Sequence, residues 1–328
     1  MNNESLLFCA SEVYPFAKTG GLADVAHSLP RALRDTYNIK VVMPLYSCIN
    51  RKKYSIKSLK KSFSISMNNI EYTAELFGCN YGGVEYIFIY SSLLCDREFL
   101  YGIPTEGYAD NALRFAIFCR VIVEILRDNT YVIVHLNDWQ TALVPLLLQE
   151  ESLIKAKTLF TINNLAYQGL FAYEVLKEIG IDSKYFTTDV LEFYNKVNFM
   201  KAAIAYSDAI TTVSQSYADE ILTASFGCGL DGFLRYHKNK LTGIINGIDN
   251  EHFTPSHDKL LEYPFANLTE KKLNKKSYLK EKSLKGITKP LFIFIGRFTQ
   301  QKGVDLLINS LEQIASSDCN IAILGDGE

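Results

Sequence analysis

The chain has 328 residues, more than the roughly 100–200 residues of a typical single domain, so we expect two domains. Hydrophobic residues make up 48% of the chain and charged residues 21%, proportions that are typical of a globular protein with a sizeable core. The formal net charge of −2 excludes the strong positive field that attracts nucleic acids or anionic membranes, so any phosphate binding must be local.

The first segment predicts a strand, a loop with paired glycines and a helix. An apolar run predicts a strand at Leu6–Ala10, and apolar residues at helical spacing predict a helix over Leu22–Arg34. Between them, backbone N–H groups at Gly20 and Gly21, the helix dipole and Lys18 could together bind an anion. The alternative is a glycine pair beside a solvated lysine, and this segment alone does not decide between the two.

The next segments predict a parallel sheet with an inserted hairpin. A strand at Ile39–Met43 follows the helix, and alternation of strand and helix is typical of parallel sheets covered by helices. Within residues 62–91, Glu71–Phe77 and Val84–Tyr90 flank a turn with paired glycines, which predicts a hairpin on an edge of the sheet. Apolar residues at spacings of three and four then predict a helix over Ala109–Asp128.

The alternation continues to the end of a predicted first domain, residues 1–250. Its later predicted elements are, in order, strand Tyr131–His135, helix Trp139–Gln149, strand Thr158–Ile162, helix Asn195–Tyr206, strand Ala209–Val213, helix Tyr217–Leu222 with Ser214 as its N-cap, and strand Leu241–Ile248. The pattern as a whole predicts an α/β fold with a mostly parallel, Rossmann-like sheet.

Residues 251–288 are polar and rich in lysine, and we interpret them as a linker that contains a solvated helix. A basic patch for a polyanion is the alternative, but Glu270 and Glu281 interrupt the lysines. Residues 289–328 then predict the start of a second Rossmann-like domain, with strand Leu291–Ile295, helix Val304–Ala315 and strand Ile321–Leu324.

The seven cysteines are scattered without the spacing of zinc ligands or of a redox pair, which predicts reduced, mostly buried thiols. The first apolar run is too short for a signal peptide, and no run approaches the roughly 18 residues of a membrane span. We therefore expect a cytoplasmic protein without a nucleic-acid or membrane partner.

Ligands of open α/β sheets bind beyond the carboxyl ends of the strands, so the residues that follow each strand are the candidates for a site. These candidates are Lys18, Gly20, Gly21, His135, Asn137, Asp138, Trp139, Asn163, Asn164, Tyr167, Gln168, Asn246, Asp249, Arg297, Gln300, Gln301 and Lys302. Because the strand ends meet at one edge of a sheet, these polar groups predict a single site there.

Six segments, in this order, carry a resemblance to a known family. They are ASEVYPFAKTGGLADV at 10–25, NDWQTAL at 137–143, NLAYQG at 164–169, TTVS at 211–214, NGID at 246–249 and GRFTQQKG at 296–303. Together they resemble the bacterial glycogen synthases and plant starch synthases, which are retaining glucosyltransferases. Each segment alone is a weak signal, but six in the same order are highly specific.

The resemblance implies the GT-B fold, in which two Rossmann-like domains face each other across a cleft. It implies transfer of glucose from ADP-glucose, or UDP-glucose, to the non-reducing end of an α-1,4-glucan such as glycogen, without a cofactor or a required metal. The chemistry of the residues agrees, because Lys18, Arg297 and Lys302 could together neutralise a departing diphosphate, and no dense carboxylate cluster for magnesium is present in the sequence.

The resemblance also implies roles for individual residues. The lysine that matches Lys18 contacts the nucleotide-sugar, the backbone at Gly20 and Gly21 approaches the sugar and its phosphates, and the pair matching Arg297 and Lys302 holds the diphosphate. These five residues form the predicted donor site.

On the glucosyl and acceptor side, Asp138 matches a carboxylate that could bind hydroxyls or take part in proton transfer, and the alternative is an N-cap for the next helix. Asn246 could contact sugar hydroxyls, although Asn-Gly is also simply a turn. We predict core positions, rather than ligand contacts, for Trp139 and His135.

The chain departs from the family pattern in two ways. The family usually has histidine where this chain has Asn163; if that residue acts through its backbone carbonyl, Asn163 keeps the function, and if through the imidazole, activity should suffer. The second departure is length, because residues 289–328 supply only one strand–helix–strand unit. We therefore expect Leu291–Ile295 to be uncovered and these 328 residues alone not to turn over ADP-glucose.

The sequence thus predicts a glycogen or starch synthase type of glucosyltransferase by descent. The alternative from another class is a non-catalytic glucan-binding or interaction module. A phosphorylase with a GT-B fold and pyridoxal phosphate is disfavoured, because the matching segments are those of the synthases.

Overall fold

The structure is a computed structural model that describes residues 4–103, 106–251, 253–325 and 327. It divides into two compact units. One runs from the start of the described chain to Tyr101 and from Tyr108 to Gly247, and the other comprises Gly102–Gly107 and the chain from Ile248 onward. The division falls within the exposed backbone of residues 244–248.

Strands and helices alternate along most of the described chain. The strands are β1 (Ser5–Cys9), β2 (Asn38–Pro44), β3 (Lys57–Met67), β4 (Ile70–Tyr81), β5 (Val84–Tyr90), β6 (Gly102–Ile103), β7 (Glu106–Gly107), β8 (Ile133–Asn137), β9 (Lys157–Ile162), β10 (Leu170–Phe171), β11 (Glu192–Phe193), β12 (Lys196–Asn198), β13 (Ala209–Thr212), β14 (Leu241–Gly243), β15 (Leu291–Ile295) and β16 (Asn320–Leu324).

The α-helices are mostly short. They are α1 (Gly21–Leu33), α2 (Ser92–Cys95), α3 (Asn111–Asp128), α4 (Val144–Leu147), α5 (Val175–Glu178), α6 (Phe199–Tyr206), α7 (Gln215–Glu220), α8 (Asp231–Tyr236), α9 (Leu268–Glu281), α10 (Val304–Asn309) and α11 (Leu311–Ser316). Single 3₁₀ turns lie at Trp139–Thr141, Leu148–Glu150, Ser183–Tyr185, Lys238–Lys240 and Gln300–Lys302.

Within the described residues, the first unit is built on a nine-stranded sheet of order β14-β13-β9-β8-β1-β2-β5-β4-β3. Neighbours from β14 to β5 pair in parallel, whereas β5, β4 and β3 pair antiparallel. The predicted α/β fold is therefore confirmed, and the predicted hairpin lies at an edge of the sheet. It is longer than predicted, because the mostly polar strand β3 is added at the exposed edge.

The centre of the sheet is buried on both faces. In β1, successive residues Leu7, Phe8 and Cys9 are all fully buried, as expected for a parallel strand covered by helices on both sides. The ring of Phe8 packs edge-on against His135 in β8, which is also buried. The prediction that His135 is a core residue of a strand is confirmed.

Two predicted helices of the first unit differ most from their predicted limits. The helix predicted over Trp139–Gln149 is divided into a 3₁₀ turn, α4 and a second 3₁₀ turn. Pro145, in the first turn of α4, has no N–H to donate to the Thr141 carbonyl, so the helical hydrogen bonds are interrupted there. The helix predicted from Asn195 begins at Phe199, where the Asn198 side chain accepts a hydrogen bond from Lys201 N–H (3.1 Å). The residues before it pair instead as β12.

The last strand of this unit, β14, is shorter than predicted and ends at Gly243. Its partner β13 ends at Thr212, whose carbonyl accepts the last cross-strand hydrogen bond from Ile244 N–H (2.8 Å). No strand therefore forms over residues 244–248. By contrast, the predicted N-cap is confirmed, since Ser214 Oγ accepts from Tyr217 N–H at 3.0 Å.

The second unit contains α9 within the segment predicted as a linker, followed by a parallel pair of strands, β15 and β16. The predicted helix Val304–Ala315 is divided at Ser310, whose hydroxyl bonds back to the Leu306 carbonyl (2.8 Å). The expectation that β15 is uncovered is confirmed, because Phe292, Ile293 and Ile295 are each more than half exposed.

All seven cysteines are free thiols, but only Cys9, Cys95 and Cys119 are buried, so the prediction of mostly buried thiols is wrong. The exposed ones, Cys48 and Cys228, lie in turns rather than in the sheet. None of the helices in the described part of the chain combines the length and the apolar composition that crossing a membrane would need.

The only tryptophan, Trp139, packs edge-on against Phe115 and also contacts Phe171 and Phe199, so its predicted core role is confirmed. Gly169 lies against this indole with φ of +68°, and an added Cβ would lie 2.7 Å from Trp139 Cε3. At this position glycine is required both by the backbone and by the packing.

We expect Gly169→Ala to lower the free energy of unfolding by about 1–3 kcal/mol, because the substitution adds backbone strain and an overlap with Trp139. Urea unfolding followed by tryptophan fluorescence measures this change at the site itself. Gly21→Ala is the matched control, since a Cβ there meets nothing within 4 Å. Equal unfolding midpoints for the two variants would contradict the packing argument.

Candidate active site

The carboxyl ends of three adjacent strands, β1, β8 and β9, bring together three segments of the chain. Residues 10–21 follow β1, residues 138–139 follow β8, and residues 163–164 follow β9. Asn137, the last residue of β8, joins the two outer strands: its Nδ2 donates to the Cys9 carbonyl (3.1 Å), and its Oδ1 faces Asn163 Nδ2 at 3.4 Å. The predicted convergence of these residues on one edge is present in the structure.

The glycine loop, residues 18–21, has fewer free N–H groups than predicted. The N–H groups of Thr19 and Gly20 both donate to Oε2 of Glu12, at 2.5 and 3.1 Å, so they are not available to an anion. Helix α1 begins at Gly21 and has no side-chain cap. A Cβ placed at Gly20 or Gly21 would meet no heavy atom within 4 Å, so open space lies above both glycines.

Lys18 forms an ion pair with Asp24 in the first turn of α1. Its Nζ lies 2.6 and 2.7 Å from the two carboxylate oxygens, and both side chains are more than one third exposed. Exposed pairs of this kind contribute roughly 0–1 kcal/mol, so Lys18 can exchange Asp24 for a stronger anionic partner at little cost.

Asp138 adopts an unusual backbone conformation, with φ of +58° and ψ near 180°. Non-glycine residues at positive φ store roughly 1–3 kcal/mol of strain and often lie at functional sites. Hydrogen bonds from Asp138 N–H to the Thr161 carbonyl (3.0 Å) and from Thr141 N–H to the Asp138 carbonyl (3.1 Å) hold the conformation.

The carboxylate of Asp138 is directed to the end of β9, where Oδ1 accepts a hydrogen bond from Asn163 N–H (2.8 Å). It makes no capping bond to the turn at Trp139, so the alternative of a simple N-cap is wrong. Burial raises the pKa of Asp138 from its ordinary 3.8 to about 7, and the charge of Glu12 adds to the rise, while hydrogen bonds from Asn163 and Asn164 oppose it.

Asn163 lies beside Asp138 with its side-chain oxygen buried and without a hydrogen-bond partner within the described residues. Buried carbonyl oxygens are normally paired, so this atom is a candidate contact for a ligand hydroxyl. No group of three His, Cys, Asp or Glu side chains that could hold a metal ion is found among the residues that the structure describes.

Several predicted candidates have structural roles instead. The His135 Nε2 atom lies 2.7 Å from Thr161 Oγ1 inside the sheet, and burial lowers the pKa of His135 to about 4. Gln168 donates to the Cys228 carbonyl and accepts from Asn198, which ties the small sheet of β10, β11 and β12 to a neighbouring loop.

Three other predicted site residues follow later elements of the chain. Asn246 lies in the exposed segment after β14. Arg297 follows β15 and Lys302 ends a 3₁₀ turn in the second unit, and both are exposed. Gly303, directly after Lys302, has φ of +72° and turns the chain into α10.

The prediction missed Glu12 and Tyr101. Glu12 is within the quoted segment 10–25, directly after β1, and a glutamate between small and apolar residues was a usable signal of a buried, functional carboxylate. Tyr101 hydrogen-bonds to Glu12 Oε1 (2.9 Å) although it is 89 residues away in the chain. No pattern in the sequence indicates that contact.

Comparisons with known proteins agree with this geometry. The family model of the starch synthase catalytic domain matches residues 5–236. The glycogen synthase of Geotalea daltonii is 40% identical over 334 residues, which cover 98% of this chain and 69% of that protein. The glycogen synthase of Aquifex aeolicus is 43% identical over 329 residues, with the same two shares.

Among solved structures, the catalytic domain of starch synthase IV from Arabidopsis thaliana, bound to ADP and acarbose, matches with a TM-score of 0.89. The identity is 29%, and the match covers 98% of this chain and 68% of that chain. The fold and the site thus define a glycosyltransferase of the GT-B class. The chain belongs to the family of glycogen and starch synthases, which use a nucleotide-sugar donor and a glucan acceptor.

The raised pKa of Asp138 predicts a specific dependence of stability on pH. The folded state binds this proton more tightly than the unfolded state, so the stabilisation is complete below about pH 4 and is lost as the pH rises through about 7. The free energy of unfolding of the wild type, relative to Asp138→Asn, should therefore fall by up to about 1.4 kcal/mol per pH unit between those limits.

Denaturant unfolding of both proteins at several pH values measures this difference. His135 contributes in the opposite direction, because its lowered pKa costs stability as the pH falls, but it is common to both proteins and cancels. A difference that does not change with pH would show that Asp138 titrates normally.

Proposed function

We propose that this chain uses ADP-glucose as its donor and transfers the glucosyl unit, with retention, to the non-reducing end of an α-1,4-glucan. UDP-glucose is the alternative donor. The structure of the Arabidopsis starch synthase IV domain bound to ADP and acarbose supports an adenine nucleotide. One observation carries the proposal. The Asp138 carboxylate, bound to Asn163 N–H, lies at the same end of the sheet as Gly20 and Gly21, where an added Cβ would meet no heavy atom within 4 Å.

The space above Gly20 and Gly21, next to the start of α1, suits a sugar diphosphate. The uncapped first turn of α1 presents N–H groups and the positive end of the helix dipole, which stabilise negative charge. A side chain at Gly20 or Gly21 would occupy the space through which a phosphate approaches, and no packing within the protein itself requires glycine at either position. We assign these glycines to close approach of the donor.

Asp138 is suited to the glucosyl and acceptor side. With a pKa of about 7, its carboxyl exchanges a proton readily at neutral pH, which favours hydrogen bonding to sugar hydroxyls in either direction. Asp138 therefore either binds donor and acceptor hydroxyls or accepts the proton of the attacking hydroxyl. Both roles require the fixed direction that the strained backbone and Asn163 N–H give to its carboxylate.

Asn163 occupies the position at which the family usually has histidine. Its Oδ1, which has no hydrogen-bond partner within the described residues, can accept a hydrogen bond from a sugar hydroxyl. An amide makes this bond without gaining or losing a proton. We propose that Asn163 contributes binding rather than proton transfer. A role for its backbone carbonyl remains compatible with this proposal.

We assign Arg297 and Lys302 to the leaving diphosphate, because a guanidinium fork and an ammonium group together neutralise two phosphates without a metal. Asn246 is assigned to sugar hydroxyls. We further propose that residues 1–250 and residues 289–328 belong to two different domains, and that residues 251–288 are the linker between them.

Equilibrium titration of the chain with ADP-glucose, UDP-glucose and glycogen tests the donor proposal. We expect ADP-glucose to bind at least about tenfold more tightly than UDP-glucose, a difference of about 1.4 kcal/mol. Transfer from labelled ADP-glucose to glycogen is measured with protein expressed from its complete reading frame, with Asp138→Asn as the inactive comparison. Equal affinity for both donors would overturn the ADP preference, and glycogen binding without donor binding would support the glucan-binding module.

Lys18→Ala should raise the KM for the donor about ten- to a hundredfold, because a charge-assisted contact contributes about 1.5–3 kcal/mol. Lys157→Ala is the matched control: Lys157 also forms an exposed ion pair, with Asp208 at 2.8 Å, but at the amino end of β9. Steady-state kinetics of both variants, over a range of donor concentrations and with protein expressed from its complete reading frame, measure the effect. Equal KM values would assign Lys18 to the surface.

A further inference from the structure

Glu12 is a buried carboxylate beside the glycine loop, and only 5% of its surface is exposed. Its Oε2 accepts the Thr19 and Gly20 N–H groups, and its Oε1 accepts the Thr19 hydroxyl (2.7 Å) and the Tyr101 hydroxyl (2.9 Å). A carboxylate is costly to bury unless donors surround it, and here four donors do so. Three of the four come from the glycine loop.

The fourth donor, the Tyr101 hydroxyl, is part of a short chain of hydrogen bonds from Ser11 through Tyr101 to Glu12. Because a carboxylate only accepts, Tyr101 donates its hydroxyl proton to Glu12, and Ser11 Oγ, at 2.7 Å, then donates to the Tyr101 oxygen. Burial, together with the charge of Glu12, raises the pKa of Tyr101 well above its ordinary value. The phenol therefore keeps the proton that this arrangement requires.

The other side of the glycine loop has no comparable support. A Cβ built at Gly20 or Gly21 would meet no heavy atom of the described residues within 4 Å, and Lys18 makes an exposed ion pair with Asp24 and lies over the ring of Tyr14 (5.9 Å to the ring centre). At the base of the loop, backbone hydrogen bonds join Val13 and Ala17 in both directions (3.1 and 3.0 Å). Between this base and the start of α1, Glu12 supplies the described contacts that hold Thr19 and Gly20.

We propose that Glu12 is the positioning residue of the glycine loop. By binding the N–H groups of Thr19 and Gly20, it sets the direction in which Gly21 and the first turn of α1 present their own N–H groups to the donor phosphates. The effect on donor affinity rests on the proposed function above, whereas the effect on the loop does not. Glu12 acts through the loop and does not itself contact the substrate.

Two substitutions separate the hydrogen bonds of Glu12 from its charge. Glu12→Ala leaves all four donors without their acceptor. In Glu12→Gln the amide oxygen can still accept the two N–H groups, and its NH₂ can donate to the two hydroxyls, which rotate to accept. The glutamine variant thus keeps the number of hydrogen bonds but loses their charge-assisted strength.

Asp208→Ala is the matched control. Asp208 Oδ2 accepts the N–H and the hydroxyl of Thr158 (2.9 and 2.8 Å), the same pair of groups that Glu12 binds in Thr19. Thr158 lies at the start of β9, whereas the site lies beyond its end. Loss of Asp208 therefore removes equivalent hydrogen bonds from the fold without reaching the glycine loop.

Amide hydrogen exchange at Thr19 and Gly20, together with donor titration, tests the proposal in the four proteins. We expect exchange at these two amides to be about tenfold faster in Glu12→Ala, about threefold faster in Glu12→Gln and unchanged in Asp208→Ala. The affinity for the nucleotide-sugar should fall by similar factors in the two Glu12 variants and stay within about twofold of the wild type in Asp208→Ala.

A folded Glu12→Ala protein with wild-type exchange at Thr19 and Gly20 would overturn the proposal. If that variant does not fold, wild-type exchange and affinity in Glu12→Gln would overturn it instead. An equal loss of affinity in Asp208→Ala would show that general destabilisation is the cause. If the wild type binds neither nucleotide-sugar, the donor assignment fails, and the exchange rates alone decide whether Glu12 holds the loop.

Discussion

The last pair of the parallel ladder between β8 and β9 is Asn137 with Thr161, and the geometry of the site depends on the hydrogen bond that the next residue, Asp138, adds to it. Asp138 N–H bonds to the Thr161 carbonyl, and its carboxylate then accepts Asn163 N–H. Asp138 makes both bonds with a positive φ, a strained backbone conformation. Strand pairing, rather than a helix cap, thus places a strained carboxylate at the edge where ligands of α/β sheets bind.

Two carboxylates lie at this edge, Glu12, which is buried, and Asp138, which is partly buried. Each is placed at the carboxyl end of a strand, and the charge of Glu12 raises the pKa of Asp138. Glu12 is surrounded by four donors, whereas burial dominates at Asp138. Similar groups thus have different surroundings: Glu12 accepts hydrogen bonds from the backbone of the glycine loop, whereas Asp138 exchanges a proton near neutral pH.

The sequence predicted the central strands and α1 well, because buried parallel strands and an amphipathic helix have strong hydrophobic patterns. It failed at β3, where the edge strand is mostly polar, and near Pro145 and Asn198, where local chemistry stops a helix that the apolar pattern favours. In the site, it identified Lys18 and Asp138 as candidates. It did not identify the contact of Glu12 with Tyr101 or that of Asp138 with Asn163, because both join residues that are distant in the chain and become neighbours only in the fold.

The structure also changes which N–H groups of the glycine loop are available to an anion. The sequence suggested anion-binding N–H groups at Gly20 and Gly21, whereas the structure shows the N–H of Gly20, together with that of Thr19, bound to an internal carboxylate. A loop of free N–H groups would be adjustable but poorly ordered, and ordering it on binding would reduce affinity. In the proposed arrangement, Glu12 orders the loop in advance, and the first turn of α1 and Lys18 are the groups that meet the phosphates. Fixed inner contacts and an open outer face are the conditions under which preorganised dipoles stabilise a leaving group most effectively.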